Sequence, residues 1–338
     1  MTEQTHMLTK VSVIGAGAMG TVMSQIIERN RMKVALLARE CEVQDLLVAR
    51  ESRQYLPGAR LGPGVTPTAD PAAALANTEL IISAIPCQYL RATWERVAAA
   101  VPAGTPVCSV TKGIEIGTLR RPSEIIAEHV ADNPIAVLSG PSVAPELARC
   151  LPATVVVACA VPSVAELVQG VVSTSWFRIY TNPDVPGVEL AGALKNVIAL
   201  AAGILDGLRA GDNAKAALVT RGLVEISRLG VALGARPETF VGLAGVGDLV
   251  TTCVSPVGRN RCAGQRIGEG LPVQQVIAES ASVIEGIPTT RAVLELARRH
   301  EVEMPITQAV YDVLFEGKAP LTAITELMTR PPKAEDRL

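Results

Sequence analysis

The sequence predicts a doubly wound α/β domain over residues 10–182, followed by an all-α domain over residues 183–330. Three observations predict it. Short, continuous apolar runs recur through the first half. Runs that are apolar at every position suit strands covered on both faces, as in a parallel sheet layered between helices. A glycine-rich turn, GAGAMG (15–20), directly follows the first run and opens a helical pattern. Beyond residue 187 the apolar residues repeat at three- and four-residue spacing, the mark of helices, and no strand pattern recurs.

In chain order, residues 1–9 are polar and are expected to fray. VSVIG (11–15) reads as a first strand, residues 21–29 as a helix and KVALLAR (33–39) as a second strand, the opening of a strand–helix–strand unit. Further strands are expected at LIISAI (80–85), PVCSV (106–110), IAVLS (135–139), ATVVVAC (153–159) and FRIY (177–180). TNPDVPG (181–187) carries two prolines and a glycine and reads as a linker. Past it, residues 189–208 form a long helical pattern with Leu190, Leu194, Val197, Ala201, Leu205 and Leu208 on one face, and residues 213–233 form a second. Shorter helices fit 271–280, 288–299 and 306–315, and PPKAEDRL (331–338) reads as a loose tail.

Composition narrows the function classes. Hydrophobic residues make up 49% of the chain and charged residues 19%, enough apolar surface for a sizeable core and too little charge for a disordered chain. A net charge of -2 argues against a general nucleic-acid binder, while leaving room for a local basic cluster aimed at a small anion. The seven cysteines (41, 87, 108, 150, 159, 253 and 262) include no CxxC pair, so neither a disulfide framework nor a metal site is expected. No signal-type segment opens the sequence, and apolar runs such as 197–205 fall short of the ~18 residues of a membrane span. A cytoplasmic location is expected.

The GAGAMG turn sits where a dinucleotide-binding fold of Rossmann type needs it, after a strand and at the start of a helix. Gly15 permits the tight turn, Gly17 lets the backbone approach a pyrophosphate, and Gly20 allows close helix packing. With Ala18 and Met19 they open a helix whose N-terminal amides and dipole attract an anion. At the end of the second strand, Arg39 suits the 2′-phosphate of NADP, and Glu40 keeps NAD open. NADP is therefore the favoured cofactor; an ordinary surface arginine is the plain alternative for Arg39.

Lys195 lies inside the helical pattern GVELAGALKNVIAL. Its same-face neighbours are Val188, Ala191, Gly192, Ile198, Ala199 and Ala202, none charged and most of them small. An ammonium on such a face is poorly solvated, so its pKa falls, and the small neighbours leave room for a second molecule. The pattern alone also permits a lysine with a buried stem and its head in water. Other segments add to it. Lys112, in VTKG, and Gly140 and Ser142, in SGPS, follow strands, where the ligand crevice of such a sheet opens. Asp248 follows three glycines in GLAGVGDLVTTC (242–253), and Gly258-Arg259-Asn260-Arg261 offers a guanidinium and amides suited to phosphate. Singly each reads as a turn or a surface cluster; together they point to an anionic substrate.

The blocks VIGAGAMG (13–20), YLPG (55–58), VTKGIE (110–115), VLSGPSVAPE (137–146), ELAGALKNVIALAAGI (189–204), GDNAKAALVTRG (211–222), GLAGVGDLVTTC (242–253), GRNR (258–261) and VIEGIPTT (283–290) occur in that order. In these blocks the chain, from about residue 10 to 330, resembles the bacterial type of NAD(P)-dependent glycerol-3-phosphate dehydrogenase. The resemblance implies reversible reduction of dihydroxyacetone phosphate to sn-glycerol 3-phosphate, feeding phospholipid synthesis, and a homodimer built on the helical domain. It implies that Lys195 is the acid–base lysine, that Lys112 contacts substrate and cofactor, and that Asp248 orients the lysine and the substrate. Asn196 and Thr252 match neighbouring polar contacts, Arg259 and Asn260 a phosphate clamp, and Gly140 and Ser142 substrate contacts from the first domain. Ala144, Val283 and Glu285 match positions lining the cofactor, a surface that Lys112 and Arg259 share. Two departures stand out. Gly258 replaces a serine frequent in the family, which removes one hydroxyl contact, and ARECEVQDLL lacks the usual paired basic residues. Gly258 motivates an alternative, a related NADP-dependent reductase of another phosphorylated or carrier-bound glyceryl unit in specialised metabolism. A non-catalytic dinucleotide sensor is disfavoured because Lys195 and Asp248 are both present.

Overall fold

In the computed structural model the described residues are 8–332, 334 and 335. The expected fraying of residues 1–7, and the tail at 333 and 336–338, lie outside them. Leu8 packs against the sheet core and Thr9 bonds Glu79 through its backbone N–H at 2.6 Å, both ahead of the first strand, so the fraying expected at residues 8 and 9 is not found.

Eight strands form one sheet: β1 (Lys10–Ile14), β2 (Lys33–Leu37), β3 (Val65–Thr68), β4 (Leu80–Ser83), β5 (Val107–Ser109), β6 (Ile135–Ser139), β7 (Ala153–Cys159) and β8 (Phe177–Asn182), in the order β3-β2-β1-β4-β5-β6-β7-β8. Every neighbouring pair is parallel except β6 and β7. The order reverses direction between β1 and β4, and a crevice at the carboxyl ends of those strands is where such a sheet binds ligands. The first half carries the helices α1 (Ala18–Arg29), α2 (Glu40–Ala49), α3 (Pro71–Leu75), α4 (Cys87–Val97), α5 (Pro122–His129), α6 (Ala144–Ala148) and α7 (Pro162–Val172). One apolar cluster joins Val22, Met23 and Ile26 of α1 and Val168 of α7 to Val11, Val13, Leu36 and Val157 of the sheet. Another joins Leu75, Trp94 and Ile126 of α3, α4 and α5 to Ile14, Leu37 and Ile81, so both faces are covered.

The second half is helical: α8 (Val185–Gly207), α9 (Asp212–Ala232), α10 (Pro237–Phe240), α11 (Asp248–Val254), α12 (Arg259–Gly268), α13 (Val273–Ala278), α14 (Gly286–Arg299), α15 (Pro305–Phe315) and α16 (Pro320–Met328). A single π-helical turn, Leu243–Gly247, precedes α11. α8 runs through the middle. By length and composition it is apolar enough to cross a membrane, but it is buried as the core helix of this half. Its Val188, Leu190, Ala191 and Leu194 share a cluster with Val137 of β6 and Val156 and Ala158 of β7, so the two halves are joined by a common core.

The expected linker at 181–187 is absent. β8 runs to Asn182 and α8 starts at Val185, with Asp184 accepting from the Gly187 N–H at 3.0 Å. Pro186 lies in the first helical turn, where its missing N–H costs nothing, so the prolines mark a helix start. β3 was not expected because VTPT is a short edge strand, paired only with β2 and interrupted by Pro67. β2 ends at Leu37, two residues earlier than expected, and Arg39 becomes the N-cap of α2.

Candidate active site

β1 delivers the chain to Gly15, whose φ of +105° belongs to the region glycine tolerates and whose N–H bonds the Leu37 carbonyl at 2.8 Å. A Cβ on Gly20 would lie 1.8 Å from the Gly15 oxygen, so the turn closes only without one. Gly17 faces open space, with no atom within 4 Å of where its Cβ would stand. The first amide bonded back into α1 is that of Thr21, to the Gly17 carbonyl at 2.9 Å. The N–H groups of Ala18, Met19 and Gly20 therefore have no partner within the helix, and they edge this open space at the positive end of the α1 dipole. Geometry and donors fit a pyrophosphate. At the end of β2, Arg39 is exposed and bonds Glu42 and the Tyr55 hydroxyl, the latter at 2.7 Å. Glu40 is exposed beside it.

The sheet then brings Lys112 to the seam between the halves. It follows β5, and its Nζ donates to the Gly140 carbonyl at 3.0 Å and to Ser142 Oγ at 3.3 Å, both just past β6. Gly140 has φ +126°, and a Cβ there would press on the Val155 backbone at 3.0 Å. From the helical half comes Asp248, the first residue of α11 and 2% exposed. Its Oδ2 takes the Lys112 ammonium at 2.6 Å and its Oδ1 the Lys195 ammonium at 2.9 Å. One carboxylate thus spans two lysines from opposite halves of the protein. Lys195 is 5% exposed and also donates to Thr252 Oγ1, whose own hydrogen goes to the Asp248 carbonyl at 2.6 Å.

Burial pushes the Lys195 pKa down to about 8; Asp248 opposes that fall and the second ammonium of Lys112 adds to it. The result is a group that holds or releases a proton near neutrality, in a setting that excludes water.

The N-terminus of α12 faces this centre from beyond α11. Gly258 is its N-cap, with no side chain to bond the first-turn amides, and a Cβ there would lie 3.3 Å from the Thr252 carbonyl. Arg259 is exposed and reaches the Val283 carbonyl at 3.1 Å. Asn260 is placed differently from a free clamp. Its amide is buried, donates to Asn196 Oδ1 at 2.9 Å and accepts from the Gly286 N–H at 2.9 Å. Asn196 and Asn260 therefore strut α8, α12 and α14 together, leaving backbone amides and Arg259 as the donors that face outward.

Glu285 lies at the seam as well. Its Oε1 accepts from the Cys87 N–H at the start of α4 at 3.0 Å, while its buried Oε2 makes no hydrogen bond among the described residues. Burial raises this carboxyl to about 7. A Cβ on Gly113, next to Lys112, would stand 3.1 Å from Oε2, so the orphaned oxygen looks onto the segment after β5. Ala144 opens α6 against the sheet core, partly buried. Arg261 of the GRNR block pairs with Asp206 at 2.7 Å and ties α12 to α8, and Ser139 of the SGPS block lies against the seam. Cys87 and Asp206 are residues that the sequence did not single out; neither carries a local signal, and each gains meaning only from an element distant in the chain.

Residues 10–165 match the family model of the NAD-dependent glycerol-3-phosphate dehydrogenase N-terminus, and residues 184–325 match that of its C-terminus. The chain is 47% identical over 329 residues to glycerol-3-phosphate dehydrogenase [NAD(P)+] of Desulfitobacterium hafniense, covering 97% of this chain and 93% of that one. It is 47% identical over 332 residues to the protein of that name from Thermobifida fusca, covering 97% and 99%. A crystal structure of glycerol-3-phosphate dehydrogenase from Coxiella burnetii superposes with a TM-score of 0.92 at 35% identity, over 96% of this chain and 99% of that one. Both halves match in order and over nearly the whole length, and the chain belongs to the NAD-dependent glycerol-3-phosphate dehydrogenase family.

Proposed function

We propose that this protein catalyses the reversible reduction of dihydroxyacetone phosphate to sn-glycerol 3-phosphate, with Lys195 as the group that gives and takes the proton. The observation that carries this reading is the Asp248 carboxylate held between Lys112 and Lys195 at 2.6 and 2.9 Å. The dinucleotide, NAD(H) or NADP(H), supplies or accepts the hydride when bound along the Gly15–Gly20 turn. Lys195, protonated below about pH 8, donates to the alkoxide that forms at the substrate carbonyl and recovers the proton in the reverse direction. Asp248 keeps the ammonium aimed, and Thr252 fixes its remaining freedom. Lys112, with Gly140 and Ser142, closes the substrate side and offsets negative charge as it develops. The Arg259 guanidinium and the free amides at the start of α12 take the phosphate, and Gly258 contributes no hydroxyl there.

On the cofactor side, we assign Ala144, Val283 and Glu285 to the wall of the dinucleotide cleft, with NADP favoured through Arg39. The exposed position of Arg39 at the end of β2 supports that preference. The remaining readings rest on the family resemblance: a role in glycerophospholipid synthesis, a cytoplasmic location and a homodimer formed through the helical half. The division into a cofactor domain at 10–182 and a catalytic domain at 183–330 is supported by the change from sheet to helices between β8 and α8. The direct test replaces Lys195 by alanine. Turnover should fall by ~10²–10⁴ with dinucleotide binding retained; near-normal turnover would remove Lys195 from the proton step.

A further inference from the structure

α8 carries a second deeply buried charge that takes no part in the site above. Glu189 is 5% exposed. Its Oε2 accepts from Arg121 Nη1 and from Ser123 Oγ, both at 2.6 Å, and its Oε1 accepts from the Ser123 N–H at 2.8 Å. Arg121 is the N-cap of α5 and Ser123 lies in its first turn. A carboxylate from the helical half thus sits on the N-terminus of a helix in the sheet half, where amides lack partners and the helix dipole favours an anion. Glu225 makes the same kind of contact to Ile306 and Thr307 at the start of α15, but that contact stays within the helical half. Glu189 crosses the seam.

What lies between makes the crossing consequential. Glu189, Gly192 and Lys195 are spaced by three and form one row along α8. A Cβ on Gly192 would stand 2.5 Å from Ser139 Oγ and 3.6 Å from the Lys112 stem. The row therefore meets the start of α5, then Lys112, then Asp248. Lys112 rides on the segment joining β5 to α5. That segment is fixed to the sheet through the Val110 N–H and the Ser83 carbonyl at 3.0 Å, is held along its length by Thr111 on the Ile85 carbonyl at 2.7 Å, by Gln88 on Ile114 and Ile116 and by Arg91 on Glu115, and ends where Glu189 holds Arg121 and Ser123, the anchor that comes from the helical half.

We propose that Glu189 is a positioning residue for the reaction: by holding the start of α5 through Arg121 and Ser123, it sets Lys112 against Asp248 and Lys195. This rests on the assignment of Lys195 as the proton group. Freed from Glu189, the segment moves, and Lys112 withdraws from Asp248 Oδ2. The groups that face the Lys195 ammonium are Asp248, Thr252 and Cys253 of α11 and Lys112 of the β5–α5 segment. Removing Lys112 leaves the Asp248 charge to Lys195 alone and takes away the opposing ammonium, and both changes hold the Lys195 proton more tightly.

The test is the pH dependence of dihydroxyacetone phosphate reduction by the full chain carrying Glu189→Gln, with Ser123→Ala and Lys195→Ala in parallel. Ser123→Ala leaves the Glu189–Arg121 pair in place and serves if Glu189→Gln fails to fold. Glu189→Gln should lower kcat about tenfold, because a displacement of about 1 Å at a reacting group can cost more than that. The dinucleotide KM should stay within about twofold, and the alkaline limb of kcat/KM should move up by about half a unit or more. Ser123→Ala should move both quantities the same way by less. A limb left in place by both variants, whether kcat is unchanged or falls only with the amount of folded protein, overturns the proposal while Lys195→Ala still abolishes the limb. If Lys195→Ala keeps the wild-type limb, the proton assignment fails and the inference fails with it.

Discussion

A lysine carried into a helix-packed interior loses its hydration, and an opposite charge within reach is what lets it remain ionised there. Lys195 illustrates how far one residue can be read from its own neighbourhood. The apolar, small-residue face around it pointed to a poorly solvated ammonium but equally permitted a buried stem with its head in water; the structure buries the whole side chain. Its partners were not legible that way. Asp248 and Lys112 reach it from another helix and from the sheet half; the sequence marked both as candidates for an anion site, and only the resemblance paired them with Lys195. Asn260 shows the converse, since its side chain is occupied by Asn196 and Gly286 in contacts that the GRNR motif does not encode.

Glu285 yields a stability prediction at this scale. Burial pushes its carboxyl up to about 7 in the folded protein, from the ordinary 4.5 of a glutamate in water. The neutral form is thus favoured by folding, so its contribution is full below about 4.5 and is lost as pH rises through about 7. Glu285→Gln should unfold later than the wild type at pH 8 in denaturant titrations, by up to about 3 kcal/mol, with the gap closing near pH 5. A gap independent of pH would show that the carboxyl is not the source. Arg39 gives a second prediction. Arg39→Ala should raise the KM for NADPH about tenfold while leaving NADH little changed, as expected for loss of one charge-assisted contact. Equal effects on both cofactors would remove Arg39 from the 2′-phosphate.

Among elements, the long regular ones were legible and the short ones were not. Strands at Ile135–Ser139 and Ala153–Cys159 fall where apolar runs predicted them. The stretch 242–253 reads as a glycine loop, yet it is a π-helical turn leading into α11, too short and irregular to show a period. The crossing of α8 and α12 was also hidden, since its signal is two glycine pairs on different helices. Gly207 of α8 meets Gly268 of α12, Gly264 of α12 lies against the Leu200 backbone of α8, and a Cβ on Gly203 of α8 would stand 2.0 Å from the Arg261 carbonyl oxygen. That oxygen is backbone and cannot rotate aside. Gly203→Ala gains about 1 kcal/mol of helix propensity, but overpacking costs about 1–3 kcal/mol, with this contact at the upper end. The variant should unfold at lower denaturant and raise the KM for dihydroxyacetone phosphate, because α12 carries Arg259. Unchanged stability would mean that the helices part without cost.

At the scale of the whole molecule, the proposed catalytic cleft lies along a seam stitched by charged groups. Lys112–Asp248, Glu189 with Ser123, and Glu285 with the Cys87 amide all cross from one half to the other. The sequence read a linker at 181–187, where the chain passes from β8 directly into α8. A linker would let the halves move independently, whereas α8 starts directly after β8 and shares a core with β6 and β7. The proposed proton site depends on that rigidity, because Asp248 holds two lysines from opposite sides at once. The most direct measurement is the pH profile of kcat/KM for dihydroxyacetone phosphate reduction, wild type against Lys195→Ala. The account predicts that wild-type activity falls as pH rises through about 8 and that the variant loses both this limb and most of its turnover. A variant that keeps the limb and turns over normally would contradict it.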